Sequence, residues 1–139
     1  MGYTHYWKFN QQPTPEKFTE FVEGAKQITA TASEAGIPIG DEDYKSDYVR
    51  FNGVENGAHE TFLVEFPVGD ERYDDSWCKT AGKPYDTAVT ACLILAKKLF
   101  DADFEVRSDG EWKDWEGGRL LYESVFNIEP KLEDFPNLG

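Results

Sequence analysis

Between Pro84 and Phe100 the chain is apolar on almost every side of a helix. Tyr85, Ala88, Val89, Cys92, Leu95, Ala96 and Leu99 recur at helical spacing, and Leu93 and Ile94 fall off that stripe. A helix without a wide polar face has to be covered from several directions, so the other elements must be arranged around it. Pro84 suits a first helical position, because its missing N–H would have been unpaired there anyway. Lys97 and Lys98 suit the opposite end, where cations meet the negative pole of the helix dipole.

The remaining elements follow from period and punctuation. Residues 3–9 are rich in β formers and predict a strand. Thr14-Pro15-Glu16 supplies cap, first-turn Pro and first-turn acid. Behind it Phe18, Phe21, Val22, Ala25, Ile28, Thr29 and Ala32 recur at helical spacing, with a stop expected at Gly36. The acidic stretch 40–47 reads as loop. Val49 and Phe51, then Phe62, Val64 and Phe66, alternate with polar neighbours and predict a hairpin. Residues 67–83 read as a long irregular segment, and long ordered loops are often functional. Phe104 and Val106 give a fourth strand. Ser108-Asp109-Gly110-Glu111 matches a capping box for a third helix carrying Trp112, Trp115, Leu121, Tyr122 and Val125.

The order β-α-β-β-α-β-α is that of an α+β, ferredoxin-like split βαβ sandwich with an added C-terminal helix. Residues 1–127 are expected to form one domain. Residues 128–139, with three acids and two prolines, are expected to be a loosely held tail.

With 27 acids against 14 Lys and Arg, the chain carries a net charge of −13, which disfavours long-range attraction to nucleic acid or an anionic membrane. A local basic pocket still suits a small anion, since distant acids are screened beyond roughly 8 Å. The two cysteines, Cys78 and Cys92, make no disulfide framework, and no signal peptide or long apolar run is evident. A cytoplasmic setting is expected. Gly2 suggests N-myristoylation, but Tyr6 stands where that motif needs Ser or Thr.

The sharpest chemical clue is the island Trp77 to Asp86. Lys79 and Lys83 have no acid between them, and Lys83, just before Pro84, is no side-chain cap. Unpaired backbone donors, a positive dipole end and two ammonium groups describe an anion site, with Lys79, Thr80 and Lys83 as ligands and Trp77 and Tyr85 beside them. The alternative is that Asp86 itself occupies the helix end while the lysines neutralise Asp74 and Asp75. The GxxxxGK[ST] spacing of a phosphate loop is absent.

Three further segments carry weaker signals. His59-Glu60-Thr61 has the His-x-Thr form of half a 2H phosphoesterase motif, but His5 is followed by Tyr6-Trp7 and supplies no second pair. His59 also begins no His-Glu-x-x-His, and no metal or cofactor is expected. On the first strand Tyr3, His5, Trp7 and Phe9 share a face. That face suits either stacking on a nucleobase or a core strand whose His is hydrogen-bonded to backbone. Arg50 and Arg107 are expected to meet Glu65 or Glu105 across the sheet.

The opening Met-Gly-Tyr-Thr-His-Tyr-Trp resembles a group of small uncharacterised phage and bacterial proteins. So do Phe-Asn-Gly-Val, His-Glu-Thr-Phe, Cys-Lys-Thr-Ala-x-Lys-Pro-Tyr-Asp and Ser-Asp-Gly-x-Trp. The resemblance spans residues 1 to about 127 and implies a context only: an accessory protein in the host cytoplasm, where such proteins often bind immune components or their nucleotide messengers.

Three functions compete at this point. The first is a non-catalytic binder of an anionic nucleotide-type ligand, through Lys79, Thr80, Lys83 and an aromatic such as Tyr3, Trp7 or Trp77. The second is an acidic inhibitor or DNA mimic acting on a host protein. The third is a phosphodiesterase using His5 and His59. A homo-oligomer is compatible with any of them.

Overall fold

The computed structural model describes residues 3–68 and 74–139. Met1, Gly2 and part of the 67–83 segment lie outside the described residues. The elements run β1 (Thr4–Phe9), α1 (Pro15–Glu34), β2 (Gly40–Lys45), β3 (Tyr48–Asn52), β4 (Phe62–Glu65), β5 (Ser76–Lys79), α2 (Asp86–Phe100), β6 (Phe104–Ser108) and α3 (Glu116–Phe126). The strands form two antiparallel three-stranded sheets, in the orders β5-β1-β6 and β2-β3-β4. The α+β class with its added C-terminal helix is thus observed. The four expected strands are present as β1, β3, β4 and β6, but β2 and β5 join them and the strands divide into two sheets.

Both extra strands arise where the sequence lacks alternation. β2, Gly-Asp-Glu-Asp-Tyr-Lys, is an edge strand with no buried residue, paired to β3 with a register shift between Gly40 and Asp43. Its charges suit an edge, where they oppose pairing with another chain. β5 is four residues long and buries Cys78 alone. The sheets are tied together at Glu60, just before β4. Its N–H donates to the Lys79 carbonyl at 3.1 Å, and its carboxylate accepts from the Lys79 N–H at 2.7 Å. Its carbonyl accepts from the Tyr85 hydroxyl at 2.5 Å and from the Cys78 thiol at 3.4 Å. The expected β3–β4 hairpin pairs Phe51 with Phe62 and Val49 with Val64.

Inward-facing Trp7, Phe9, Val49, Phe51, Phe62, Val64, Phe104 and Val106 meet the helices in one core. α1 starts on Thr14, whose hydroxyl accepts from the Lys17 N–H at 3.1 Å, and closes through Gly36 at φ +91°. α2 begins at Asp86 rather than Pro84, with Pro84 and Tyr85 forming a turn ahead of it. Its buried residues run from Ala88 to Ala96 without a break, and it packs on α1, α3 and β6, as an all-round apolar helix requires.

Ser108 ends β6 instead of capping a helix. The capping box lies three residues later, between Glu111 and Asp114, and opens a 3-10 turn, Trp112–Trp115, that leads into α3. The C-terminal segment is not loose. Phe135 and Leu138 are buried, the Phe135 ring lies 5.4 Å from Trp112 and 5.8 Å from Trp115, and Asn137 donates to the Val106 carbonyl at 3.3 Å.

Candidate functional site

The sequence-singled residues separate into an inward set and an outward set. Alternation along β1 sends His5 and Trp7 into the core and leaves Tyr6 and Lys8 on the other face. Trp7 packs on Phe62 at 5.2 Å, and Tyr85 is buried with its hydroxyl on Glu60. Tyr3, half-buried, meets the His5 ring edge-on at 5.0 Å, and burial, more than the nearby Asp86, raises its hydroxyl to about 12. Buried in this way, Trp7 and Tyr85 offer no open face for a base.

The inward set is organised around a polar chain that joins four elements. Asp86 Oδ1 accepts from the Thr80 hydroxyl at 2.6 Å and lies 2.6 Å from His5 Nε2. His5 Nδ1 lies 2.8 Å from Ser108 Oγ. That oxygen also accepts from the Gly110 N–H at 2.9 Å and the Trp115 indole N–H at 3.2 Å. A hydroxyl oxygen has two lone pairs, so with both engaged its proton donates to His5 Nδ1, and the ring carries its own proton on Nε2 toward Asp86. His5 is 0% exposed. Ser108, His5 and Asp86 therefore stand in the connectivity of a nucleophilic triad, yet the Ser108 lone pairs are occupied and the imidazole is sealed. The chain locks β1, β6 and the start of α2 together. The expected core strand is correct for β1, except that its His bonds to side chains rather than backbone.

Asp86 also changes the anion site. The N–H groups of Asp86, Thr87 and Ala88 donate to the carbonyls of Lys83, Pro84 and Tyr85 at 2.8 to 3.2 Å. The Lys83 N–H donates to the Thr80 carbonyl, and the Gly82 N–H to the Thr80 hydroxyl. The donors expected to cradle a phosphate at this helix end are consumed within the turn, and the Thr80 hydroxyl is consumed by Asp86. Asp75 pairs with Arg107 at 3.2 Å rather than with either lysine. Lys79 and Lys83 form no ion pair among the described residues.

His59 and Thr61 precede β4 in a loop and are exposed, so strand alternation does not govern them. His59 is held by its backbone to the Asn52 side chain. With His5 sealed, the two histidines share no accessible surface. No group of three or more His, Cys, Asp or Glu is placed to hold a metal ion among the described residues. Burial raises the Cys78 thiol to about 12 and raises Cys92 as well, which keeps both unreactive.

The outward set is the open face of the β5-β1-β6 sheet. Cross-strand register places Arg107, Tyr6 and Trp77 in a row, and Lys79 opposite Thr4 beside it. The Arg107 guanidinium lies 5.0 Å from the Tyr6 ring centre, and Lys8 pairs with Glu105 at 3.5 Å. Trp77 is 61% exposed. Tyr6 and Arg107 were missed as site residues because their importance comes from register with β5, a strand the sequence pattern does not reveal. Compared with protein-family models, curated proteins and solved structures, the chain matches none of them.

Proposed function

We propose that the chain is a non-catalytic binding protein for a small anionic ligand of nucleotide type, taken up on the open face of the β5-β1-β6 sheet. The observation that carries this reading is the exposed Trp77, in register with Tyr6 and flanked on its own strand by Lys79. A base stacked on an exposed aromatic gains about 1–3 kcal/mol, and a strand holds that ring at low entropic cost. Arg107 and Lys8 are already matched by Asp75 and Glu105, so among the described residues Lys79, with Lys83 beyond the turn, is the cation left for a phosphate. A net charge of −13 opposes a long polyanion and tolerates a short one. The phage-type setting implied by the sequence resemblance fits a protein that sequesters a nucleotide signal.

Isothermal titration against a panel of mono-, di- and cyclic nucleotides tests the reading, with Trp77→Ala and Lys79→Ala as variants. Both positions are exposed, so the fold should survive. At least one panel member should bind, and each variant should weaken it roughly ten-fold, as expected for the loss of one stacking or phosphate contact. Absence of binding across the panel, or equal affinity for Trp77→Ala and the parent, overturns it.

A further inference from the structure

Away from the strands, the three helices leave an open groove of about 520 Å³. α2 forms its floor with Leu95 and Leu99, α3 and the residue pair after it form one wall with Phe126 and Ile128, and α1 forms the other with Glu20 and Glu23. Gly24 has no Cβ, and one built there would strike Leu95, so the α1 backbone lies directly against the floor. The lining is mostly apolar; Glu20 and Glu23 stand on the α1 rim, and Lys98 stands on the α2 side. Ile128 is 44% exposed, although the neighbouring core is closed.

We infer that this groove receives an amphipathic, basic helix of a partner protein. Its apolar stripe would seat on Leu95, Leu99, Phe126 and Ile128, and its Lys or Arg flank would face Glu20 and Glu23. Shape favours a helix over a small molecule, because an open trough cannot enclose most of a compact ligand's surface. Apolar anchors at helical spacing, by contrast, fill such a trough side by side. Charge favours a basic partner over a second copy: each copy carries −13, so self-association would bring like charges together. Glu20 makes no ion pair among the described residues, and Glu23 makes only an exposed one with Lys26 at 3.5 Å. Glu20 is thus open to a cationic flank on the α1 side, and Lys98 on the α2 side turns that flank toward α1.

The test uses three 18-residue peptides: an amphipathic Leu/Lys helix, its Leu/Glu counterpart, and a scrambled Leu/Lys peptide of equal charge whose apolar stripe is dispersed. Titration calorimetry should give binding of the amphipathic Leu/Lys helix and at least roughly ten-fold weaker binding of the other two. Amide shifts on binding should centre on Glu20–Gln27, Leu99 and Phe126. The variant Glu20→Lys/Glu23→Lys alters exposed side chains only and should reverse the preference between the Leu/Lys and Leu/Glu helices. Equal binding of the scrambled peptide shows bulk charge attraction and overturns the inference. So does an unchanged preference in the double variant, or a dimer in sedimentation that the Leu/Lys helix displaces.

Discussion

Thr80 makes four hydrogen bonds. Its N–H donates to the Tyr3 carbonyl at 3.0 Å, its carbonyl accepts from Lys83, and its hydroxyl donates to Asp86 and accepts from Gly82. The turn it organises holds Ala81 at φ +55° and Gly82 at φ +68°, a conformation that needs outside support at the alanine. Thr80→Val keeps the shape and removes the hydroxyl, leaving a largely buried carboxylate one donor short. Urea unfolding should show a loss of about 2 kcal/mol, with Thr80→Ser recovering most of it. The residue was legible as important, but its role was not. A Thr between two lysines suggests an anion ligand, whereas its real partner is the Asp six positions on. Likewise Ser108 satisfies a capping pattern in sequence, and only the His5–Ser108 pairing of β1 with β6 reveals it as a link in the buried chain.

Helices α2 and α3 meet closely where Gly118 faces Thr90. A Cβ at Gly118 would lie 2.7 Å from the Thr90 Cβ and 3.0 Å from the Ala91 backbone nitrogen. Gly118→Ala would therefore separate the helices despite alanine's better helix propensity. Thermal and urea unfolding should show a net loss of about 2 kcal/mol, and an unchanged midpoint would contradict this packing. Elements with an apolar period were legible at this scale: α1, α2 and the β3–β4 hairpin lie where the pattern puts them. β2 and β5 were not, because an edge strand and a four-residue strand are held by main-chain pairing and need no apolar face. The candidate binding face suffered most, since it consists of side chains from three strands whose register depends on β5.

Across the whole molecule, burial shifts several acids in one direction. Cys78 rises from 9.0 to about 12 and Tyr3 from 10.0 to about 12, while Tyr44, Tyr85 and Cys92 also move up. A raised folded value means that the folded state keeps protons which the unfolded chain releases. The associated stability is complete below about pH 9 and is lost as pH climbs toward 12. Urea unfolding at pH 8, 9 and 10 should give falling midpoints, with Cys78 alone accounting for about 1 kcal/mol at pH 10. Cys78→Ala should reduce that slope, with Cys92 and the tyrosines supplying what remains, and a midpoint independent of pH in the parent chain would refute it. The C-terminal segment illustrates what composition conceals at this scale. Its acids and prolines predict looseness, but two apolar residues, Phe135 and Leu138, find the surface left beside Trp112 and Trp115.

The central place of β1 has a consequence for how the chain reaches its fold. Both of its neighbours come much later in sequence: His5 and Ser108, bonded through their side chains, stand 103 positions apart. Closing so long a loop costs entropy before any contact offsets it, and chains dominated by such pairings fold slowly. During synthesis β1 emerges well before either strand that flanks it, so its aromatic face must wait, unpaired, until β6 has been made. Helices α1 and α2 can form locally in that interval, whereas this sheet closes only around a strand made early and placed late.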